Sequence, residues 1–556
     1  MSRILTTLTA FNSRLKRAII PILFISCATP AFSQEYHVLT ADEVEVTNGE
    51  LVSVKIGKKD FERIEIPSEL GGEKVTAIGN GVFERFRLSG VRISEGVKRI
   101  GRKAFQFCPL VDISLPDGLK VICDYAFRQS YYDSTVVSLT IPASVDSIGT
   151  SAFSDCPIER LILSPGLKYI GDKAFYCGYL TELDVPETVD HIGHDAFFYN
   201  YISRLTLPNS IRKLDGFAMN MLTDLQIGPE VVEIADSAFC ANLLTSVNIP
   251  ANVKKVGNYA FARNMEDIQH GFKENRVTVR QITIASGVEW VGDYAFMMSY
   301  SDVLYIPKSL KHIGANAFVG GYGRLVFEDG RTELPRKSFA NAVAKSYEFP
   351  ASIVSIGAGA LAGIISGYPV REKFIPLPEN IESVGDSAFF GIWCRSISLS
   401  SKAKLTVGDC AFYGNWYLER LKIGKGVVSL GRKCFAREET VRGTRIDMSE
   451  ATDLTHILPG AFEEYTNNLN AELPTNRKWL AYDGTPQNIV SDGYVSVISD
   501  PKLGYIAAEL TAIKAVTAGD GRAEVYDLTG RRMARNRSHG LTVVKTRQGS
   551  QLTVSK

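Results

Sequence analysis

The chain has 556 residues, more than a single globular core usually organises. Its 62 Lys and Arg residues balance 61 Asp and Glu residues, so the chain as a whole has no electrostatic drive toward nucleic acid or an anionic membrane. A hydrophobic fraction of 45% and a charged fraction of 22% exclude a mainly disordered chain.

Residues 1–33 are predicted to be a signal peptide. A positively charged start is followed by an apolar stretch at residues 18–28, which is too short to span a bilayer. The small residues Ala31 and Ser33 have the spacing of a cleavage site, so the mature protein would start near Gln34. The alternative is lipidation of Cys27, although the residues before it match a lipoprotein motif poorly. Both interpretations predict an exported protein, at the cell surface or extracellular.

A repeated unit occupies most of the remaining chain. Each copy starts with an apolar residue that is usually followed by Gly. Two variable residues and then Ala-Phe complete it, as in Ile148-Gly149 to Ala152-Phe153. The commonest step is 22 residues, and the longest leads from Phe261 to Phe296 through the polar segment 264–277. That segment is predicted to be a loop, which is either a binding surface or simple variation in loop length. We follow the Phe position through these copies, with Met219 and Leu361 as substitutes: Phe83, Phe105, Phe127, Phe153, Phe175, Phe197, Met219, Phe239, Phe261, Phe296, Phe318, Phe339, Leu361, Phe389, Phe412, Phe435 and Phe462.

A short alternating segment precedes the units and in many of them ends in Pro, for example Leu139-Thr140-Ile141-Pro142. Alternation with a period of two predicts one short strand, with both aliphatic residues facing inward. Pro ends the strand, Gly would supply a permissive backbone, and an Asp such as Asp172 would cap a short helical turn. Since one unit cannot bury its apolar face alone, the units must stack, with a parallel sheet and a column of Phe side chains. The expected fold is therefore an α/β repeat solenoid, with a short parallel strand and a short helical turn in each repeat.

The pattern Leu-x-Ile-Pro-x-x-Val-x-x-Ile-Gly-x-x-Ala-Phe, complete in residues 139–153, resembles the BspA-like leucine-rich repeats of bacterial surface proteins. The resemblance covers residues 63–470, with residues 34–62 expected to form an N-terminal cap. It implies an extracellular adhesion or ligand-binding role toward host proteins or other cells. It says little about chemistry, because a fold does not dictate an activity.

The C-terminal residues carry a second resemblance. Residues 524–532 and 540–545 resemble a type IX secretion sorting domain, a small β-structure that directs passage across the outer membrane. The aromatic residue that the family usually has near Thr542 is absent, and a small β-cap without an export role remains an alternative. Residues 509–556 are therefore predicted to be a β sorting-like domain, after a cap or linker at residues 471–508.

Chemistry that would mark an enzyme is not found in the sequence. His191 and His194 flank the Ile-Gly of one repeat, and we interpret them as solvated side chains rather than as part of a zinc site. Cys108 and Cys156 both follow a repeat Phe by three residues, which is typical of buried thiols. No phosphate loop, hydrolase elbow or zinc-protease motif is complete. We expect no enzyme activity, no metal and no cofactor.

Aromatic residues recur at the fourth position after the repeat Phe. In a stacked array one position forms one column, which would be either an exposed ridge that grips a glycan or protein, or a stacking ladder that seals the core. The ladder is the commoner arrangement. The candidate binding residues of the ridge are Tyr131, Tyr179, Tyr201, Tyr300, Tyr322, Trp393 and Trp416.

A second candidate surface is the outer face of the sheet, whose mid-strand residues are polar and mostly uncharged, for example Ser114, Asp184, Thr206 and Asn248. We expect a surface protein that binds an extracellular protein or glycan and uses outer-membrane secretion machinery, without nucleic acid as a partner. A non-catalytic scaffold that organises other envelope proteins or polysaccharide is the alternative function.

Overall fold

The structure, a computed structural model, describes residues 35–129, 136–264, 279–363, 377–392, 394–415, 417–436, 444–463, 471–483, 490, 495–498, 500–507, 540–546 and 549–555. All regular elements in these residues are β-strands. The predicted helical turn is therefore wrong for the described part of the chain, while the stacked parallel strands of a repeat solenoid are confirmed.

Most repeats contribute two strands, not the single strand that the sequence predicts. The first, which we call the proline-side strand, corresponds to the alternating segment before Pro. The proline-side strands are β4 (Arg63–Ile66), β8 (Gly90–Ile93), β10 (Asp112–Ser114), β12 (Val136–Ile141), β14 (Ile158–Leu163), β16 (Glu182–Asp184), β18 (Arg204–Thr206), β21 (Ser246–Ile249), β23 (Gln281–Ile284), β25 (Ser299–Ile306), β27 (Gly320–Phe327), β29 (Ala342–Glu348), β32 (Ser396–Leu399), β34 (Arg420–Ile423) and β36 (Arg445–Asp447).

The second, which we call the glycine-side strand, ends at the apolar residue before the repeat Gly. The glycine-side strands are β7 (Ala77–Ile78), β9 (Arg99–Ile100), β11 (Val121–Ile122), β13 (Ser147–Ile148), β15 (Tyr169–Ile170), β17 (His191–Ile192), β19 (Lys213–Leu214), β20 (Glu233–Ile234), β22 (Lys255–Val256), β24 (Trp290–Val291), β26 (His312–Ile313), β28 (Glu333–Leu334), β30 (Ser355–Ile356), β31 (Ser383–Val384), β33 (Leu405–Val407), β35 (Val427–Leu430) and β37 (His456–Ile457).

The remaining strands lie before, after or at the start of the array. They are β1 (His37–Val38), β2 (Val44–Thr47), β3 (Glu50–Val54), β5 (Glu69–Leu70), β6 (Glu73–Lys74), β38 (Ala471–Glu472), β39 (Trp479–Tyr482), β40 (Val497–Ile498), β41 (Gly504–Ala507), β42 (Gly540–Thr546) and β43 (Gly549–Ser555). Strand β42, within the residues 540–545 that carry part of the second resemblance, pairs antiparallel with β43. Residues 524–532, which carry the other part, lie outside the described residues.

The chain divides into two compact units, Met1–Tyr300 and Ser301–Lys556. In the first unit, the antiparallel hairpin β2–β3 starts a glycine-side sheet that continues through β7, β9, β11, β13 and β15 to β17. In the second unit, the glycine-side strands from β28 to β37 form a parallel sheet, which ends in antiparallel β41 and β39. Antiparallel strands therefore flank the parallel repeats at both ends of the chain's repeat region.

The predicted column of Phe side chains is confirmed within each unit. In the first unit the rings from Phe83 to Phe261 stack in nearly parallel planes, with neighbouring centroids 5.0–5.8 Å apart. The column contains Phe217, which lies 5.4 Å from Phe197, and not Met219. The assignment of Met219 was wrong because this repeat lacks two residues between Leu214 and Phe217, so its Ala-Phe equivalent is Gly216-Phe217.

Left-handed backbone conformations explain why the turns are not helical. In the repeat that follows β9, Lys103 and Phe107 have φ angles of 59° and 63°, and equivalent positions in the other repeats are left-handed as well. Such residues interrupt a helix, and each costs about 1–2 kcal/mol outside Gly. Their N–H groups instead donate to the next repeat, from Lys103 to the carbonyl of Asp124 at 3.0 Å and from Phe107 to that of Arg128 at 2.7 Å.

The recurring Asp of the unit also forms hydrogen bonds to the next repeat and not within its own turn. Oδ1 of Asp124 accepts the N–H of Thr150 at 2.8 Å, and Oδ1 of Asp172 accepts that of His194 at 2.8 Å. The predicted helix cap is therefore corrected to a cap on the following repeat. It satisfies a backbone donor that has no partner inside its own turn.

The repeat Gly is needed for space and not for an unusual φ angle. Gly171 does not have a positive φ, but a Cβ atom there would lie 2.7 Å from the carbonyl carbon of Gly149. A Cβ at Gly193 would lie 2.4 Å from the amide nitrogen of Asp172. Adjacent repeats thus approach each other so closely at this point that a side chain does not fit.

A column of buried Asn side chains was missed by sequence reasoning. Asn200, Asn220, Asn242 and Asn264 are buried, each three residues after a Phe of the column. In Asn242, Oδ1 accepts the N–H of Leu222 at 3.1 Å, and Nδ2 donates to the carbonyl of Phe217 at 2.9 Å. These bonds satisfy backbone groups of the preceding repeat where no strand pairs them.

We predict that Phe296→Ala lowers the free energy of unfolding by about 3–5 kcal/mol, because the buried ring packs 5.5 Å from Phe261 and its removal leaves a cavity. Urea denaturation followed by circular dichroism measures the change. Tyr305→Ala, at a side chain that is 43% exposed, is the control and should change the stability little. Equal stability of Phe296→Ala and the wild type would remove Phe296 from the core.

We also predict that Gly171→Ala destabilises the protein by about 1–3 kcal/mol, because the added methyl group overlaps the neighbouring backbone. Gly228→Ala is the matched control, since its Cβ atom would meet nothing closer than 3.9 Å. The control should stay within about 0.5 kcal/mol of the wild type. Equal effects of the two substitutions on the urea midpoint would refute the packing role of Gly171.

Candidate functional site

The two His residues that the sequence places close together have separate partners. The exposed ring of His191 stacks on Tyr169, with centroids 4.5 Å apart, whereas Nδ1 of His194 lies 3.2 Å from Oδ1 of Asp215. No cluster of three or more His, Cys, Asp or Glu side chains suited to a metal ion occurs in the described part of the chain. The structure therefore brings these His residues into surface contacts and not into a common metal site.

Four of the eight cysteines in the described residues are buried and the other four are half-buried. Cys108 is buried and its Sγ donates to the carbonyl of Phe83 at 3.0 Å. Burial raises the pKa of Cys108 to about 12 and also raises that of Cys156 and Cys434. Because the thiolate is the reactive form, these three groups are poor nucleophiles near neutral pH.

The residues of the predicted aromatic ridge differ in their burial. Tyr179 and Tyr201 are half-buried, with ring centroids 6.1 Å apart and planes tilted by 44°, and Tyr300 is half-buried as well. Tyr322 is only 2% exposed, so its expected place on an exposed ridge is corrected. Tyr322 belongs to the long strand β27 and lies on the side of that strand that faces the core. The other members, Tyr131, Trp393 and Trp416, lie outside the described residues.

Sequence reasoning missed further aromatic side chains near Tyr179 and Tyr201. Tyr176 and Phe198 directly follow the repeat Phe, and their rings stack with centroids 5.0 Å apart. The ring of Tyr199 lies 6.2 Å from that of Phe198. These five half-buried residues, which we call the turn patch, belong to the turns of two adjacent repeats. The signal was present in the sequence as a second aromatic residue after the repeat Phe.

The glycine-side strands present a second surface. In the two-residue strands the first residue is exposed or half-buried and the second is buried, as with Tyr169 and Ile170 in β15. The outward column of the first unit includes two of the most exposed large side chains, Tyr169 at 42% and Trp290 at 43%. Between them lie the exposed residues His191, Lys213 and Lys255.

The proline-side strands present a third, more polar surface. Mid-strand residues such as Ser114, Asp184 and Asn248 are exposed, as predicted. Neighbouring strands are linked there by side-chain contacts, for example from Thr206 Oγ1 to Asp184 Oδ1 at 2.7 Å. Ile162 interrupts the polar column with a side chain that is 38% exposed.

The sequence profile described as "BspA type Leucine rich repeat region" matches the chain in six overlapping or adjoining stretches. They are residues 54–136, 98–218, 177–267, 216–324, 263–366 and 367–479. The chain belongs to the BspA-type leucine-rich repeat family. The resemblance predicted for residues 63–470 is thereby confirmed, whereas the sorting-like C-terminal domain remains a prediction.

Solved structures with a similar chain include a leucine-rich repeat protein from Bacteroides ovatus, which is 19% identical, with a TM-score of 0.45 over 70% of this chain and 95% of that one. The pneumococcal vaccine antigen PcpA is 17% identical, with a TM-score of 0.40 over 65% of this chain and 93% of that one. A leucine-rich cell surface protein from Faecalibacterium prausnitzii is 21% identical, with a TM-score of 0.31 over 74% and 92%. No curated protein matches the chain significantly.

The described residues contain no helix that is both long and apolar enough to cross a bilayer. Their exposed and half-buried side chains include those of the turn patch, the glycine-side column and the proline-side face.

Proposed function

We propose that the protein is an exported cell-surface protein that binds extracellular proteins, other cells or glycans through its repeat array, without catalysis. The observation that carries this proposal is the contrast between the two sides of each glycine-side strand. The inward residues of β15, β17, β19, β20, β22 and β24 are all Ile, Leu or Val, whereas the outward residues are Tyr169, His191, Lys213, Glu233, Lys255 and Trp290.

This contrast supports binding because the repeat fold places no demand on the outward residues. Backbone bonds between repeats, the Phe column and the Asn column hold the array without them. Within each of the two ladders, which end at β17 and start at β19, the outward column therefore forms a rigid surface whose chemical groups change from one repeat to the next. A rigid and non-repeating pattern of aromatic and charged groups is what a selective binding surface requires.

The proposal of export depends on the sequence features at the two ends of the chain. Residues 1–33 have the charge and hydropathy pattern of a signal peptide, and family membership is in keeping with a surface location. We propose that residues 509–556 act as a type IX sorting-like domain, in which β42 and β43 form one hairpin. Outer-membrane secretion machinery would then be a partner of this domain.

Within the array, the turn patch is the proposed contact surface for a glycan or protein ligand. Its stacked pair Tyr176–Phe198 and the tilted pair Tyr179–Tyr201 place four partly accessible rings on two adjacent turns. Aromatic rings contribute large contact areas with little loss of side-chain entropy, and Tyr adds a hydroxyl group for hydrogen bonding. Trp393 and Trp416 are proposed members of the same type of surface.

The test is binding of the purified protein to a panel of matrix proteins and glycans at physiological salt. We predict a saturable partner whose affinity falls about tenfold or more in Tyr179→Ala/Tyr201→Ala, because interface aromatic residues often contribute at least 1–2 kcal/mol. Tyr305→Ala, an exposed aromatic on the proline-side face, is the control and should bind normally. Circular dichroism confirms that both variants are folded.

A blank panel, combined with capture of envelope components from the producing cell, would favour the alternative function as a scaffold for surface proteins or polysaccharide. A partner that binds the folded double variant as tightly as the wild type would refute the turn patch as the binding surface. Loss of a specific substrate during incubation would contradict the non-catalytic proposal.

A further inference from the structure

One repeat of the first unit interrupts the glycine-side sheet. The parallel ladder that starts at β3 ends at β17, and a separate ladder starts at β19. On the turn side the same two repeats stay bonded, from Phe197 N to Gly216 O at 2.9 Å and from Tyr199 N to Ala218 O at 3.1 Å. Their proline-side strands β16 and β18 also pair, and Ser210 Oγ donates to the carbonyl of Val189 at 2.8 Å. The two repeats are thus joined along the proline-side strands and the turn edge, whereas β17 and β19 do not pair, which is the arrangement of a joint.

The interruption follows from the two missing residues. Asp215 directly follows Leu214, at the position where other repeats have Gly. A side chain at this position is compatible with strand pairing elsewhere, as at Cys123 and Ala235. The shortened turn is therefore what distinguishes this repeat. Asp215 is buried, with 5% exposure, and its carboxylate faces the preceding repeat.

A His side chain bridges this opening. Nδ1 of His194 lies 3.2 Å and 3.4 Å from the two carboxylate oxygens of Asp215, and Nε2 lies 3.6 Å from Oδ2 of Asp195. The backbone N–H of His194 donates to Asp172 Oδ1 at 2.8 Å. Three carboxylates from three successive repeats therefore surround one imidazole, and Lys173 is the cation that acts on Asp195.

The contact with Asp215 is the main cause that raises the pKa of His194, with the charges of Asp195, Asp215 and Asp172 adding to it and partial burial opposing it. Burial is the main cause that raises the pKa of Asp195, although His194 and Lys173 lower it. A His whose folded pKa is raised stabilises the fold fully below its unfolded pKa of 6.5, and this stability is lost as the pH rises through the folded pKa. A raised Asp pKa acts in the same direction, because the folded state then binds the proton more tightly.

We propose that the interrupted repeat is a pH-responsive joint in the first unit: protonated His194 clamps it through Asp215, and loss of the proton loosens the two repeats along the glycine-side edge. The bonded turn edge keeps the repeats connected in both states. Opening would change the spacing between the outward residues His191 and Lys213, which lie on either side of the joint.

Hydrogen exchange of the full chain, read by mass spectrometry at about pH 5.5 and about pH 8 and corrected for intrinsic rates, tests the joint. We expect peptides that cover residues 189–199 and 204–216 to be more protected at the lower pH. The expected effect is about tenfold for each unit by which folding raises the pKa of His194. Residues 253–262, in an uninterrupted part of the ladder, should not change.

His194→Gln should abolish this pH difference, whereas His191→Gln, at an exposed ring in the same repeat, should keep it. Asp215→Asn is the second variant, since it preserves the volume and polarity of the side chain but removes the charge, and it should also abolish the difference. Equal protection of the wild type at both pH values would overturn the proposal. A pH difference that persists in folded His194→Gln or Asp215→Asn would overturn it as well.

Discussion

The close approach of one repeat's backbone to the next is the constraint on which the rest of the structure depends. It leaves no room for a side chain at Gly171 or Gly193, and it allows hydrogen bonds such as that from Gly171 N to Ile148 O at 2.8 Å. The same proximity stacks the Phe rings and places Asn side chains against the preceding turn. A repeat therefore has few satisfied backbone groups of its own, and its stability depends on its neighbours.

This dependence also determines which parts of the fold the sequence could predict. The Phe column and the alternating proline-side strands follow from burial, which leaves a visible period of apolar residues. The second strand and the left-handed turns depend on bonds to another repeat, and a two-residue strand is too short to show a period. Met219 was assigned to the Phe column because the 22-residue spacing was counted across a repeat that lacks two residues. The column of stacked rings contains Phe217 instead.

The candidate surfaces were less predictable than the core. Tyr179 and Tyr322 occupy the same position of the repeat, yet one is half-buried and the other is buried in a long strand. Exposure depends on local strand length, which the repeat spacing does not reveal. Membership of the family does not determine which side chains lie on the surface of this chain. The binding proposal and the joint at His194 both depend on such surface side chains, which the repeat itself does not require.

The central claim is that stability passes from repeat to repeat, and native-state hydrogen exchange of Asn242→Ala tests it most directly. The side-chain amide that this substitution removes accepts a hydrogen bond from the N–H of Leu222 and donates one to the carbonyl of Phe217. Both of these residues lie in the preceding repeat. We predict faster exchange in residues 217–224 as well as around residue 242, because a buried unsatisfied group costs about 1–3 kcal/mol. Faster exchange confined to the residues around 242, with unchanged protection of Leu222, would contradict the account.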